Sequence, residues 1–276
     1  MAAGHDLDAA QARALFPRGL AQPDWFRFSV DALLLAAFAA RWIDRGHQQG
    51  LPPRRGLTGL DLGTGCGVAA LALLLAYGHP DGGHPDQGDL RMIGVDLAED
   101  MIDCAGKNRV LLGQEDRLEI VPSDVAEYKA SAALDFAVCN PPYFQEGSGR
   151  RSPEAERRRA RFESGGGLDG FLKGAAVNLK NRAPLFMVHQ AEGLDRVLTA
   201  MSAHGLAPKR ILPVHGRADK PASLALVEAR LGGGPGVALE PALVLYAEGQ
   251  ALSEQALAFC PQLECNTARG AAHVPE

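Results

Sequence analysis

The chain has 276 residues, 46% of them hydrophobic and 22% charged, enough for one large domain or two small ones with a substantial core. Its 28 Lys and Arg against 33 Asp and Glu leave a net charge of −5, which excludes a generic polyanion binder and requires any nucleic-acid contact to come from a local basic patch. The five cysteines are odd in number and three lie in apolar or helical stretches, so they read as reduced thiols of a cytoplasmic protein rather than as a disulfide framework.

Residues 1–23 are polar and alanine-rich and read as a weakly structured arm with no basic n-region of a signal peptide. Trp25 to Val30 reads as a short strand, and Asp31 starts a helix that runs to Trp42. The apolar run Ala32 to Ala40 inside it is too short to span a membrane. A loop rich in proline and glycine follows, and from Leu57 onward strands and helices alternate. Strands are predicted over Leu57–Leu62, Arg91–Leu97, Arg117–Val121, Leu134–Cys139 and Pro184–His189, with helices over Val68–Tyr77, Ala98–Leu112, Leu168–Leu179 and Gly193–Ala203. Residues 78–89 form an insertion of glycine, histidine, proline and aspartate. Lys209–Val214 and Ala222–Arg230 read as an antiparallel hairpin, and Val237 to Ala247 as one further edge strand or a subdomain strand. The expectation is an α/β fold, Rossmann-like, with a mostly parallel sheet ending in an antiparallel edge hairpin. A single domain is expected over 24–250, with an N-terminal lid segment over 24–45 and a tail over 251–276.

Asn140-Pro141-Pro142-Tyr143 stands directly after the fourth predicted strand, where two prolines stop the ladder. In open α/β sheets ligands bind at the carboxyl ends of the strands. The Asn140 amide oxygen and the Pro141 carbonyl can accept two hydrogens from a planar exocyclic amine, Pro142 holds the turn rigid, and the Tyr143 ring can stack on the amine's ring. The same letters also make a plain Asx-Pro turn. Earlier in the chain, Asp61-Leu62-Gly63-Thr64-Gly65-Cys66-Gly67 ends the first strand and opens a helix. Its glycines Gly63, Gly65 and Gly67 let backbone approach a ligand, and their spacing is not that of the dinucleotide fingerprint. Asp96 at the end of the second strand suits a ribose diol, and Asp124 after the third suits the amino group of an adenine. Singly each aspartate reads sooner as a cap or turn former, and it is three of them in register after three consecutive strands that favour a ligand site. Cys260 and Cys265 have no second pair or nearby histidine, so no metal site is predicted.

The segment from Trp25 to Leu231 resembles the Rossmann-like S-adenosylmethionine-dependent methyltransferases with an N-P-P-Y motif, and within them the bacterial valine-tRNA adenine-N6 methyltransferase family. The resembling pieces are Phe26 to Ala36, the turn Asp61 to Gly67, and Asn140-Pro141-Pro142-Tyr143-Phe144. The resemblance implies S-adenosylmethionine as cofactor, S-adenosylhomocysteine as product, and N6-methylation of an adenosine in RNA, in tRNA next to the anticodon. It makes Phe28 and Asp31 candidates for cofactor contact and implies a cytoplasmic location without membrane or metal. Phe144 extends the base platform or is a simple apolar turn residue. Arg150, Arg151, Arg157, Arg158, Arg159 and Arg161 follow the motif between glycines, and a basic loop there is predicted to clamp RNA phosphates, the alternative being a solvated helix. The rival activities are N5-methylation of a release-factor glutamine and amino-methylation of rRNA or DNA, and a non-catalytic nucleotide-binding module is the rival class.

Overall fold

The computed structural model describes residues 8–48, 56–77, 90–143, 166–248 and 251–264. Five parallel strands form the centre of the sheet: β1 (Leu57–Leu62), β2 (Leu90–Asp96), β3 (Leu118–Pro122), β4 (Phe136–Cys139) and β5 (Pro184–Gln190). An antiparallel hairpin of β6 (Leu206–His215) and β7 (Ala222–Leu231) extends it, in the order β3-β2-β1-β4-β5-β7-β6. The order reverses beside β1, which pairs with β2 on one side and β4 on the other, and that reversal opens a crevice at their carboxyl ends. All four residues of β4 are buried, because helices cover both faces of the sheet, and an uninterrupted apolar run suits a strand without a wet side.

One face carries α2 (Val30–Gln48), α3 (Val68–Tyr77) and α4 (Glu99–Leu111). α3 is buried almost all round, wedged between α2 and the sheet, which accounts for its nearly uniform apolar composition. α2 crosses β4 and β5, where Trp42 lies with its ring centroid 6.0 Å from that of Phe136 and 5.9 Å from that of Phe186. The other face carries α5 (Gly167–Asn178) and α6 (Leu194–Ala203), through Leu172, Ala175, Val197 and Met201. α5 approaches the loop after β3 so closely that a Cβ at Gly174 would lie 2.2 Å from the Val125 carbonyl oxygen.

Four expectations are corrected. Residues 8–23 are an ordered part of the fold: α1 (Ala9–Leu15) starts with a reciprocal capping box between Asp8 and Gln11, and Phe16 and Leu20 behind it are buried in the core. Trp25 to Val30 forms no strand; the segment turns at Asp24 and Trp25 and runs irregularly into α2, its aromatics facing a cavity instead of a sheet edge. Residues 251–264 fold back as α7 (Glu254–Phe259), capped by the Ser253 hydroxyl, which accepts from the Ala256 N–H at 3.0 Å. Arg41 on α2 lays its guanidinium 3.7 Å above the Phe259 ring and donates to the Phe259 carbonyl at 2.9 Å. The single edge strand expected over 237–247 is two short pieces, β8 (Ala238–Leu239) and β9 (Leu243–Val244), each parallel to β6. The insertion at 78–89, Phe144, Cys265 and the six arginines from Arg150 to Arg161 lie outside the described residues.

Candidate active site

The turn after β1 doubles back over β2: the Gly63 and Thr64 N–H groups both donate to the Val95 carbonyl, at 2.9 and 3.0 Å. Gly63 has φ +70°, and a Cβ there would lie 2.7 Å from the Phe171 ring, so glycine is required on both counts. Gly65, with φ +55°, has open space where a Cβ would be and donates its N–H to Asp96 Oδ2 at 2.9 Å. Backbone is thus bared to a ligand at Gly65. Gly67 does not line the cavity; its space is taken by Leu71 and Ala105, and its left-handed φ of +83° steers the chain into α3. Its predicted ligand contact is therefore replaced by a packing role.

A cavity of about 550 Å³ lies over the ends of β1, β2 and β4, a size that suits a nucleoside-bearing ligand. Asp61, Gly63, Gly65, Asp96 and Asp124 line it from the ends of β1, β2 and β3, and Asn140, Pro141, Pro142 and Tyr143 line it from the end of β4. Phe28 and Asp31 reach it from the irregular segment and the first turn of α2. Residues without a sequence signal join them: Trp25, Thr64, Leu97, Met101 and Phe171. The irregular segment is tied down by Asn108 on α4, fully buried, whose carboxamide bonds the Ala21 N–H at 2.6 Å, the Ala21 carbonyl at 2.9 Å and the Cys66 carbonyl at 2.9 Å.

Electrostatics select among ligands. Among the described residues the cavity wall carries four carboxylates, Asp31, Asp61, Asp96 and Asp124, and one guanidinium, Arg27, which donates to the Pro23 and Phe26 carbonyls at 3.2 and 2.8 Å. A phosphate would meet net repulsion here, whereas a ligand with positive centres and hydroxyls would be held. Asp61 is buried and its pKa is pushed from 3.8 up to about 6, by burial first, against the hydrogen bond it accepts from the Thr64 hydroxyl at 2.8 Å. Burial also raises the Asp96 carboxyl, although it accepts from the Gly65 and Ala98 N–H groups, each at 2.9 Å. Asp124 accepts from the Ala126 N–H at 2.8 Å, so it stabilises its own turn while lining the cavity. A sulfonium with an amino-acid tail, a ribose diol and an adenine matches this donor set. S-adenosylmethionine therefore fits the residues present.

At the β4 end, the Tyr143 hydroxyl lies 2.5 Å from Asn140 Oδ1 and 3.2 Å from Asp31 Oδ2. Asp31 thus turns its carboxylate to the tyrosine. The Tyr143 ring also packs edge-on against His189 at the end of β5, with centroids 5.1 Å apart. Burial lowers the His189 pKa below its ordinary value, favouring a neutral ring. Among the described residues no group of three or more His, Cys, Asp or Glu is placed to hold a metal, and no helix is long and apolar enough to cross a membrane.

Residues 34–157 match the methyltransferase small domain family model. A tRNA1(Val) (adenine(37)-N6)-methyltransferase of Bacteroides thetaiotaomicron is 30% identical over 188 residues, covering 68% of this chain and 70% of the relative. A ribosomal protein uL3 glutamine methyltransferase of Bordetella pertussis is 32% identical over a shorter stretch, 40% of this chain and 34% of the relative. Among solved structures, a protein from Agrobacterium tumefaciens described as a predicted O-methyltransferase superposes with a TM-score of 0.61 at 17% identity, covering 84% of this chain and 96% of that one. The strand order, the carboxylate-walled cavity and the Asn-Pro-Pro-Tyr corner agree with these likenesses, and the chain belongs to the bacterial valine-tRNA adenine-N6 methyltransferase family, a branch of the class I S-adenosylmethionine-dependent methyltransferases.

Proposed function

We propose that this chain methylates N6 of an adenosine in tRNA, next to the anticodon. The observation that carries the reading is the Asn140-Pro141 corner at the edge of a cavity built for a cationic nucleoside. The curated relatives named for tRNA1(Val) support the choice of RNA over other amine carriers. The cofactor, when bound, supplies a methyl group already made electrophilic by its sulfonium. Asp96 would hold the ribose hydroxyls, Asp124 the adenine amino group, and Asp61 the positive amino-acid tail, with the Gly63–Gly65 backbone against the ligand. Phe28 would close the cavity from the irregular segment.

The chain's own catalytic work is positioning. The target amine is a poor nucleophile because its lone pair is delocalised into the ring. The Asn140 carboxamide and the Pro141 carbonyl would accept its two hydrogens and aim the lone pair toward the cavity, and orientation of this kind can supply about 7–11 kcal/mol of a barrier. Pro142 keeps the two acceptors at a fixed separation. Tyr143 would stack on the base, worth about 1–3 kcal/mol. The base has to leave its stack to enter, which favours an unpaired loop. Arg150, Arg151, Arg157, Arg158, Arg159 and Arg161 are proposed to clamp the RNA backbone, with Phe144 extending the base platform, and a tRNA substrate goes with a cytoplasmic location.

The test is transfer of a tritiated methyl group into tRNA, rRNA, DNA, release factor and ribosomal protein, followed by nucleoside and amino-acid analysis. N6-methyladenosine in tRNA is the expected product. N5-methylglutamine instead would move the assignment to the activity named for the Bordetella relative. Asn140→Ala should abolish nearly all turnover while leaving cofactor affinity within about twofold.

A further inference from the structure

Asn140, Tyr143 and Asp31 stand in a row at the target end of the cavity, with the Tyr143 hydroxyl between two oxygens at 2.5 and 3.2 Å. A phenol has one hydrogen to donate. It can serve the Asn140 carbonyl or the Asp31 carboxylate, and a charged acceptor makes roughly twice as strong a bond as a neutral one. When the hydrogen goes to Asp31, the tyrosine oxygen faces Asn140 as an acceptor, and two oxygens are left in contact. Turning the terminal amide torsion relieves this, and that torsion is broad and two-fold. The Asn140 NH2 then donates to the tyrosine oxygen, and its carbonyl faces the cavity.

The two arrangements offer different things to an incoming amine. In the first, the asparagine carbonyl is aimed at the Tyr143 hydroxyl and gives it one of its two lone pairs, away from the target. In the second, it is free to accept a hydrogen from the target. We propose that Asp31 is a positioning residue for methyl transfer: by accepting the Tyr143 hydroxyl hydrogen, it turns the Asn140 carbonyl toward the target amine. The proposal rests on the methyltransferase reading above.

The surroundings favour this division of labour. Asp31 is 9% exposed and sits in the first turn of α2, where the helix N-terminus supports an ionised carboxylate. Its own N–H faces the Ser29 hydroxyl at 3.4 Å, which fixes the start of the helix. The phenol is braced by His189, and His189 is braced by Gly193, where a Cβ would lie 2.8 Å from the imidazole. Burial first, and then the Asp31 charge, hold the Tyr143 hydroxyl well above the usual phenol range, so the hydrogen is always present to be given.

The test compares wild type, Asp31→Ala, Asp31→Asn, Tyr143→Phe and the two double variants, by single-turnover methylation of tRNA, calorimetric binding of S-adenosylmethionine and thermal melting. Asp31→Ala should slow the chemical step about tenfold or more at saturating cofactor, a larger factor than any fall in cofactor affinity. The loss should shrink below about threefold in the Tyr143→Phe background, because no hydroxyl remains to capture Asn140. Asp31→Asn keeps an acceptor oxygen and should lose less; it carries the same comparison if Asp31→Ala fails to fold. Equal losses in both backgrounds, or a fall in cofactor affinity that matches the fall in rate, would overturn the proposal. A readout without turnover is the Asn140 side-chain NH2 signal in the NMR spectrum of the cofactor-free protein. It should shift on Asp31→Asn and stay still when Tyr143 is already Phe. A signal indifferent to Asp31 overturns the proposal whatever the substrate. A signal that moves as expected in a protein that methylates no RNA upholds the hydrogen-bond row and removes the substrate reading alone.

Discussion

Asp61→Asn should make the cofactor-free protein more stable and the cofactor bind less well. Asp61 is 2% exposed, and its Oδ2 accepts both of its hydrogen bonds, from the Thr64 hydroxyl at 2.8 Å and the Ala70 N–H at 3.3 Å. An asparagine can keep both with its amide oxygen, so the change removes charge and little else. The folded protein holds the Asp61 proton with a pKa raised from 3.8 to about 6, so it binds that proton more tightly than the unfolded chain does. The stability this confers is complete below about pH 4, falls as pH climbs through about 6, and leaves a constant penalty above that. Two pH units correspond to about 3 kcal/mol. The neutral variant forgoes charge-assisted bonds, so its gain at pH 8 should be about 1–3 kcal/mol, or roughly 3–10 °C in melting temperature for a chain of this size. At pH 4 the gain should vanish. In the opposite direction, a positive ligand tail placed against Asp61 favours the ionised form. Wild-type affinity for S-adenosylmethionine should rise between about pH 5 and 7, and the variant should bind about tenfold more weakly at pH 8. Asp96 titrates in the same cavity, so the difference between wild type and variant is the quantity to read. Denaturant melts and calorimetry at pH 4, 6 and 8 would suffice. A variant no more stable than wild type at pH 8, together with a pH-independent affinity difference, would refute the idea that Asp61 is a buried charge awaiting a cation.

Other perturbations separate support from contact. Gly63→Ala combines a φ of +70° with a Cβ 2.7 Å from the Phe171 ring, and should cost about 2–4 kcal/mol in urea unfolding as well as cofactor affinity; an unchanged unfolding midpoint would contradict the geometry. Asn108→Ala leaves the half-buried Ala21 N–H and carbonyl and the buried Cys66 carbonyl without this partner, and should cost about 2–4 kcal/mol, with hydrogen exchange rising at Ala21 and along the Gly63–Gly67 turn. Exchange that stays flat at Ala21 would show that the carboxamide does not staple the segment. Asp96→Ala should weaken cofactor binding at least about tenfold by calorimetry, through the ribose and through the freed Gly65 N–H; equal affinity would remove the ribose role.

The parallel strands were legible because they are buried on both faces, so Phe136-Ala137-Val138-Cys139 and Pro184 to Val188 read as unbroken apolar runs. The carboxylates at the strand ends were legible for the same reason, since each strand's stop marks the rim of the crevice. The alternation Trp25-Phe26-Arg27-Phe28 misled because period two also arises where a chain drapes aromatics over a cavity, and periodicity does not say what pairs with the backbone. α1 does carry a local signal: Asp8 and Gln11 have capping-box spacing, and Phe16 and Leu20 give the segment something to bury. Phe171 and Asn108 had no local signal at all. One reaches the cavity from the middle of α5 and the other holds a turn 42 positions away, and only the tertiary fold brings them there. The same holds for the row Asp31, Tyr143 and Asn140, whose first two members are 112 positions apart.

The clasp of Arg41 on Phe259 joins residues 218 positions apart, and on the same helix the Cys260 thiol reaches the Leu33 carbonyl at 3.7 Å, half a turn beyond Asp31. During synthesis every wall of the cavity, Tyr143 included, would leave the ribosome well before this clasp. The pocket is complete in composition long before it is complete in alignment, and a polypeptide terminated ahead of residue 254 would own all the machinery of methyl transfer while lacking the hand that steadies α2.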